Sequence, residues 1–245
     1  MKRIIPFVIA LGLASLLLAG GVGAGELARL PASGPPRAAP SSPADTLPIR
    51  PSDSITTYLY LPLVMRAYRP PPPPPVYPND PYYTYGYQWG LTKVRAPEAW
   101  ALSQGQGVLI AVLDTGTDYT HPDLSGKVRT DIAWNFVNNN NDARDNNGHG
   151  THVSGIVAAA TNNSRGVAGM GWDASILPVK VLDNSGSGDH SLLAAGIYYA
   201  ADHGARVINM SLGGHPGVPC SSGLQAAVDY AYRRGVLLVA AAGNN

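Results

Sequence analysis

Apolar positions along this chain fall into blocks, and the blocks switch between two periods. Residues 108–113 are an unbroken apolar run, Val108-Leu109-Ile110-Ala111-Val112-Leu113. A continuous run this short predicts a strand covered on both faces. Residues 176–182, 207–210 and 236–241 read the same way, and 132–137 is a weaker strand. Between these runs the period lengthens. Within 190–203, Leu193, Ile197, Ala200 and Ala201 fall on one helical stripe, closed by Gly204. Within 221–234, Leu224, Ala227, Val228 and Ala231 align before Gly235, and Arg233-Arg234 suit the negative end of that helix. Residues 97–102 and 149–160 also read as helices. Strand–helix alternation predicts an α/β fold, a mostly parallel sheet with helices on both faces.

The pattern fails before residue 79. Lys2-Arg3 followed by an apolar stretch over 4–18 and the small residues Val22-Gly23-Ala24 predicts a cleaved export leader at 1–24. The alternative is an uncleaved anchor, but the stretch is short for a span. Prolines break 25–78 into a spacer without helical period, in which only 56–65 has strand character. Its unbroken proline run, 70–75, predicts a stiff polyproline II segment of about 3 Å per residue. The globular part is expected over 79–245, and no membrane span is expected after leader removal.

Composition narrows the function classes. The formal net charge of +1 across 245 residues gives no electrostatic case for nucleic acid. A single cysteine, Cys220, excludes an internal disulfide and any CxxC metal motif.

Parallel sheets bind ligands outside the carboxyl ends of their strands. Asp114, Ser211 and Asn244 each follow a predicted strand directly, which places three polar groups on one edge. Asp114 closes Val112-Leu113-Asp114-Thr115-Gly116, and His149 lies in Asn147-Gly148-His149-Gly150-Thr151-His152-Val153. Asp114 reads as a strand-end turn residue or as the acid that orients a histidine. His149 reads as a helix-terminal imidazole or as a general base. His152, three residues on, is expected to pack or to support the site. An aspartic protease needs a second Asp-Thr/Ser-Gly, which is absent from the sequence. A zinc hydrolase built on His149, His152 and Asp114 lacks the usual Glu beside the first histidine. An α/β-hydrolase needs Gly-x-Ser-x-Gly, which is also missing.

Asp114-Thr115-Gly116 and His149-Gly150-Thr151-His152 resemble the Asp and His boxes of subtilisin-like serine proteases. Val207-Ile208-Asn209-Met210-Ser211-Leu212-Gly213 resembles that family's substrate-binding strand, and Ala241-Ala242-Gly243-Asn244 its oxyanion-hole segment. The resemblance covers about residues 79–245, with the boxes in the family's order. It implies a secreted serine endopeptidase acting on polypeptides, expected as a monomer. Asp114 would be the orienting acid, His149 the base and Asn244 the oxyanion donor. Gly186-Ser187-Gly188 and Ser211-Leu212-Gly213 would be the two edges that hold the substrate backbone. It also implies a structural calcium site, with carboxylates from Asp80 and Asp123, the amide oxygen of Asn163 and carbonyls of Thr161, Arg165 and Val167.

Two departures stand out. The family's nucleophile opens a late helix in a Gly-Thr-Ser box, and these 245 residues contain no such box. The expectation is therefore a partial subtilase chain, inactive alone; the competing reading is a non-catalytic module that keeps the fold. Residues 25–78 are also too proline-broken for a folded pro-domain.

Overall fold

The computed structural model describes residues 71–214 and 220–243. The leader at 1–24, the stretch at 56–65, most of the spacer and Asn244 lie outside the described residues. Residues 71–75 are exposed and belong to no helix or strand.

Five strands form one parallel sheet: β1 (Leu109–Asp114), β2 (Trp134–Asn135), β3 (Ser175–Lys180), β4 (Val207–Met210) and β5 (Leu237–Ala240). Their order is β2-β3-β1-β4-β5, so β1 lies centrally between β3 and β4. The apolar run predicts this place. Ala111, Val112 and Leu113 are at most 1% exposed, so β1 is covered on both faces.

Alternate β1 side chains go to different helices. Ala111 and Leu113 join Leu177, Val179 and Ile208 in a cluster with α5 (His190–Asp202) and α6 (Ser222–Arg233). Val112 joins Ile176 and Leu124 in a second cluster with Val153 and Ala158 of α4 (His149–Ala158). The two-residue alternation of a strand thus builds a core on each face of the sheet. Each fully buried Leu or Ile contributes about 1.5–3 kcal/mol.

The predicted elements are present with shifted ends. The strand expected at 132–137 contracts to β2, because residues Thr130–Ile132 form a 3-10 turn instead. The helix from 149 stops at Ala158, since Ala159 is already extended (ψ 157°). The helix expected at 97–102 is α3 (Ala96–Trp100). Two short helices were not expected, α1 (Pro81–Thr84) and α2 (Trp89–Lys93). Both belong to an N-terminal cap in which Leu91, Ala96, Trp100 and Ala168 are buried. Packing reaches back of residue 79: Val76 touches this cap and its N–H donates to the Pro97 carbonyl (2.9 Å). Among the described residues no helix is long and apolar enough to cross a membrane.

Candidate active site

Parallel pairing sets the carboxyl ends of β3, β1 and β4 side by side. Asp114 ends β1 opposite Lys180, which ends β3, and Ser211 follows β4 directly. Helix α4 brings His149 to the same edge. The His149 Nδ1–H donates to Asp114 Oδ1 at 2.8 Å. A carboxylate can only accept, so a proton sits on Nδ1, and in the neutral imidazole Nε2 keeps its lone pair. Asp114 is fully buried while the His149 side chain is 43% exposed. The acid is thus shielded and the imidazole open. Asp114 Oδ1 also accepts from the Thr115 N–H (2.7 Å). Oδ2 is buried without a partner among the described residues.

Two glycines allow this approach. A side chain at Gly150 would run into the Gly116 carbonyl and lie 3.1 Å from Asp114 Cβ. Gly116 itself has φ +109°, where only glycine is unstrained, and any Cβ there would strike the Ala143 carbonyl. The glycine spacing around His149 is therefore a requirement of close packing between the first turn of α4 and the end of β1.

The first three N–H groups of α4 have no partner inside the helix. Here each finds one outside it. His149 N donates to Asn147 Oδ1, Gly150 N to Thr115 Oγ1 and Thr151 N to Asp145 Oδ2. Asp145 also accepts from Asn147 N, Gly148 N and the hydroxyls of Thr115 and Thr151. Burial alone would raise the Asp145 carboxyl. Hydrogen bonds from the Thr151 hydroxyl and from the N–H groups of Gly148, Asn147 and Thr151 outweigh it and hold the pKa down at about 2. Sequence reading gave Asp145 no role beside His149. The available signal was a carboxylate shortly ahead of a helix start.

Lys180 was missed too. It is 2% exposed, and its ammonium donates to the Thr115 carbonyl. Burial lowers its pKa, while Asp145, Asp183, Asp114 and Asp142 act in the opposite direction. It supplies positive charge beneath a rim of carboxylates.

The other expected residues fall as follows. Gly186, Ser187 and Gly188 are exposed in the loop after β3. That loop folds around Asp183, whose Oδ1 accepts from Ser185 N and Ser187 N. Ser211 and Leu212 are half-buried and Gly213 exposed, directly beyond β4; the Ser211 hydroxyl accepts from Asn209 Nδ2. The two segments follow the strands on either side of β1, so they flank Asp114 in the sheet order. Asn244 is outside the described residues. His152 is exposed, contrary to the expected packing role, because α4 turns that position away from the sheet. Among the described residues no three His, Cys, Asp or Glu side chains gather as metal ligands, so His149, His152 and Asp114 do not form the zinc trio considered above.

Of the residues expected to hold calcium, hydrogen bonds link Asp80 and Asp123 to Asn163 and Val167. Asp80 is 0% and Asp123 2% exposed. Among the described residues neither pairs with a cationic side chain. Both instead meet the loop at 161–167. Asp80 accepts from Asn162 N (2.7 Å), and Asp123 from Val167 N (2.8 Å) and Asn163 Nδ2 (2.9 Å). Two buried carboxylates without a counter-charge fit a hard cation. The carbonyls of Thr161, Arg165 and Val167 accept no hydrogen bond among the described residues, which leaves them available as ligands. Asn163 differs from expectation: its amide nitrogen, not its oxygen, faces Asp123. Ligation by its oxygen takes a half-turn of that amide.

The sequence matches a known family. The subtilase family model (Peptidase S8) matches residues 105–245. The chain belongs to the subtilase family. It is 54% identical over 167 residues to thermitase of Thermoactinomyces vulgaris, covering 68% of this chain and 58% of that protein. It is 52% identical over 170 residues to the thermophilic serine proteinase of Bacillus sp. (strain AK1), covering 69% of this chain and 41% of that protein. This subtilase chain thus spans less than two thirds of either relative's length. Among solved structures, a protease of Pseudoalteromonas arctica PAMC 21717 is similar with a TM-score of 0.60 at 36% identity. That match covers 68% of this chain and 59% of the other. The fold is accordingly the subtilisin-like α/β fold.

Proposed function

We propose that this chain supplies the acid–base half of a subtilisin-type serine endopeptidase, which hydrolyses peptide bonds in polypeptides. The observation that carries the reading is the 2.8 Å hydrogen bond between the exposed His149 ring and the buried Asp114 carboxylate. With its proton fixed on Nδ1, His149 takes the nucleophile's proton at Nε2 as the hydroxyl attacks the scissile carbonyl. Asp114 stabilises the resulting imidazolium, and the same proton then passes to the leaving amine. The Asn244 amide donates to the oxyanion, an interaction whose loss costs about 3 kcal/mol. Gly186-Ser187-Gly188 and Ser211-Leu212-Gly213 hold the substrate as an added strand from either side of Asp114.

Among the described residues no serine or threonine hydroxyl bonds to the His149 ring. On this reading the nucleophile is not among the described residues. The same observation favours the second reading, a module that keeps the fold without catalysis. One assay separates the two. Protein isolated from its own host is incubated with a chromogenic peptide, with and without a serine-directed phosphonate. Reagent-sensitive hydrolysis is the expected result; a pure protein with none overturns the enzyme reading in favour of the module.

Residues 1–24 act as an export leader and the proline-rich stretch after it as a spacer that ends by Val76, where packing on the N-terminal cap begins; the catalytic part works as a secreted monomer. Calcium held by Asp80, Asp123, Asn163 and the carbonyls of Thr161, Arg165 and Val167 would brace the N-terminal cap against the loop at 161–167. Amino-terminal sequencing of the protein from culture medium tests export: a start near Gly25 is expected, and retention of Met1 in a membrane fraction contradicts it.

A further inference from the structure

We propose that Asp145 is a positioning residue for the Asp114–His149 pair, acting through the Thr115 hydroxyl to fix the first turn of α4 against the end of β1. The inference rests on the reading of Asp114 and His149 as the acid–base pair. The directions of the hydrogen bonds are forced. Gly150 N–H can only donate, and it donates to Thr115 Oγ1 at 2.9 Å. The Thr115 hydroxyl must then give its own proton to Asp145 Oδ1, also at 2.9 Å. The result is a polarised chain from the residue after His149, through the residue after Asp114, to a carboxylate. Linked bonds of this kind strengthen one another.

Asp145 holds the other side of the junction as well. Its Oδ2 takes the N–H and the hydroxyl of Thr151, two residues after His149, while Oδ1 takes the N–H groups of Asn147 and Gly148 before it. Gly148, at the start of the helix, has no side chain to cap it. One carboxylate therefore grips the backbone on both sides of His149 and the side chain next to Asp114. The low carboxyl pKa agrees with this saturation. His149 itself makes no bond to Asp145, so the action is on position rather than on the reacting atoms.

The test reads the low-field His149 Nδ1–H resonance by NMR in the full chain. The charged groups around this junction are Asp114, Asp145, Asp142, Asp183 and Lys180, so a charge effect must be separated from a positional one. Thr115→Val removes the hydroxyl and no charge. Asp145→Asn removes the charge and keeps an oxygen for Thr115. Asp145→Ala removes both. Asp189→Ala, which deletes the side-chain cap of α5, is a control for helix fraying remote from His149. The expected result is loss of the low-field Nδ1–H signal in Thr115→Val and Asp145→Ala. Asp145→Asn and Asp189→Ala should keep the signal. A wild-type signal in Thr115→Val overturns the inference, even where Asp145→Ala fails to fold. Absence of the low-field signal from the unaltered protein would instead strike the acid–base pair itself.

Discussion

Asp114 and His149 lie 35 residues apart in sequence, yet their side chains meet at 2.8 Å. A central strand supplies one and the first turn of a helix the other. The closeness depends on Gly150, which has no side chain to hold the two elements apart. Gly150→Ala should destabilise the chain by about 1–3 kcal/mol through overpacking. Urea denaturation measures it. A variant as stable as the parent would mean that α4 can withdraw from β1 without cost.

The orienting acid also predicts a rate effect. In protein with peptidase activity, Asp114→Asn should lower kcat by about four orders of magnitude, because an amide no longer enforces the Nδ1–H tautomer. His149→Ala should be at least as damaging. Stopped assays with excess substrate read kcat directly, and a loss below tenfold in either variant contradicts the assigned roles.

Acid stability follows from Asp145. Its pKa falls from 3.8 to about 2 on folding. A depressed carboxyl stabilises the fold fully above its unfolded pKa and loses that contribution as pH falls through the folded one. The window is therefore roughly pH 4 to 2, and the contribution is at most about 2 kcal/mol, less what solvent screens. Thermal unfolding between pH 5 and 2 should show a shallower acid limb in Asp145→Asn. An unchanged slope contradicts the assignment.

The strands and the main helices were legible because their cores are periodic. The run at 108–113 has no polar break, and such a strand has few places to go but the middle of a sheet. The shared edge of Asp114 and Ser211 followed from parallel topology alone. The N-terminal cap was not legible. Helices α1 and α2 are only 4 and 5 residues long, too short to display a stripe. They are fixed from afar, as when Asp80 accepts from Asn162, 82 residues on. The role of Asp145 escaped notice for a similar reason: its key partner, Thr115, is 30 residues upstream. Lys180 also escaped notice: it is 2% exposed, and the carboxylates Asp114, Asp142 and Asp145 that act on it lie 35 or more residues upstream.

Cation binding makes a further prediction. Saturating calcium at 100 times its dissociation constant adds about 2.7 kcal/mol to a fold that alone binds it. Chelation should therefore lower the Tm, and Asp123→Ala should abolish that response. An identical Tm with and without chelator removes the site built on Asp80 and Asp123.

The most direct test of the central claim is the low-field Nδ1–H resonance of His149, followed by NMR in the parent chain and in Asp114→Asn. If the two residues act as one acid–base unit, losing the carboxylate acceptor should erase that signal. The same low-field signal in both proteins would contradict the account.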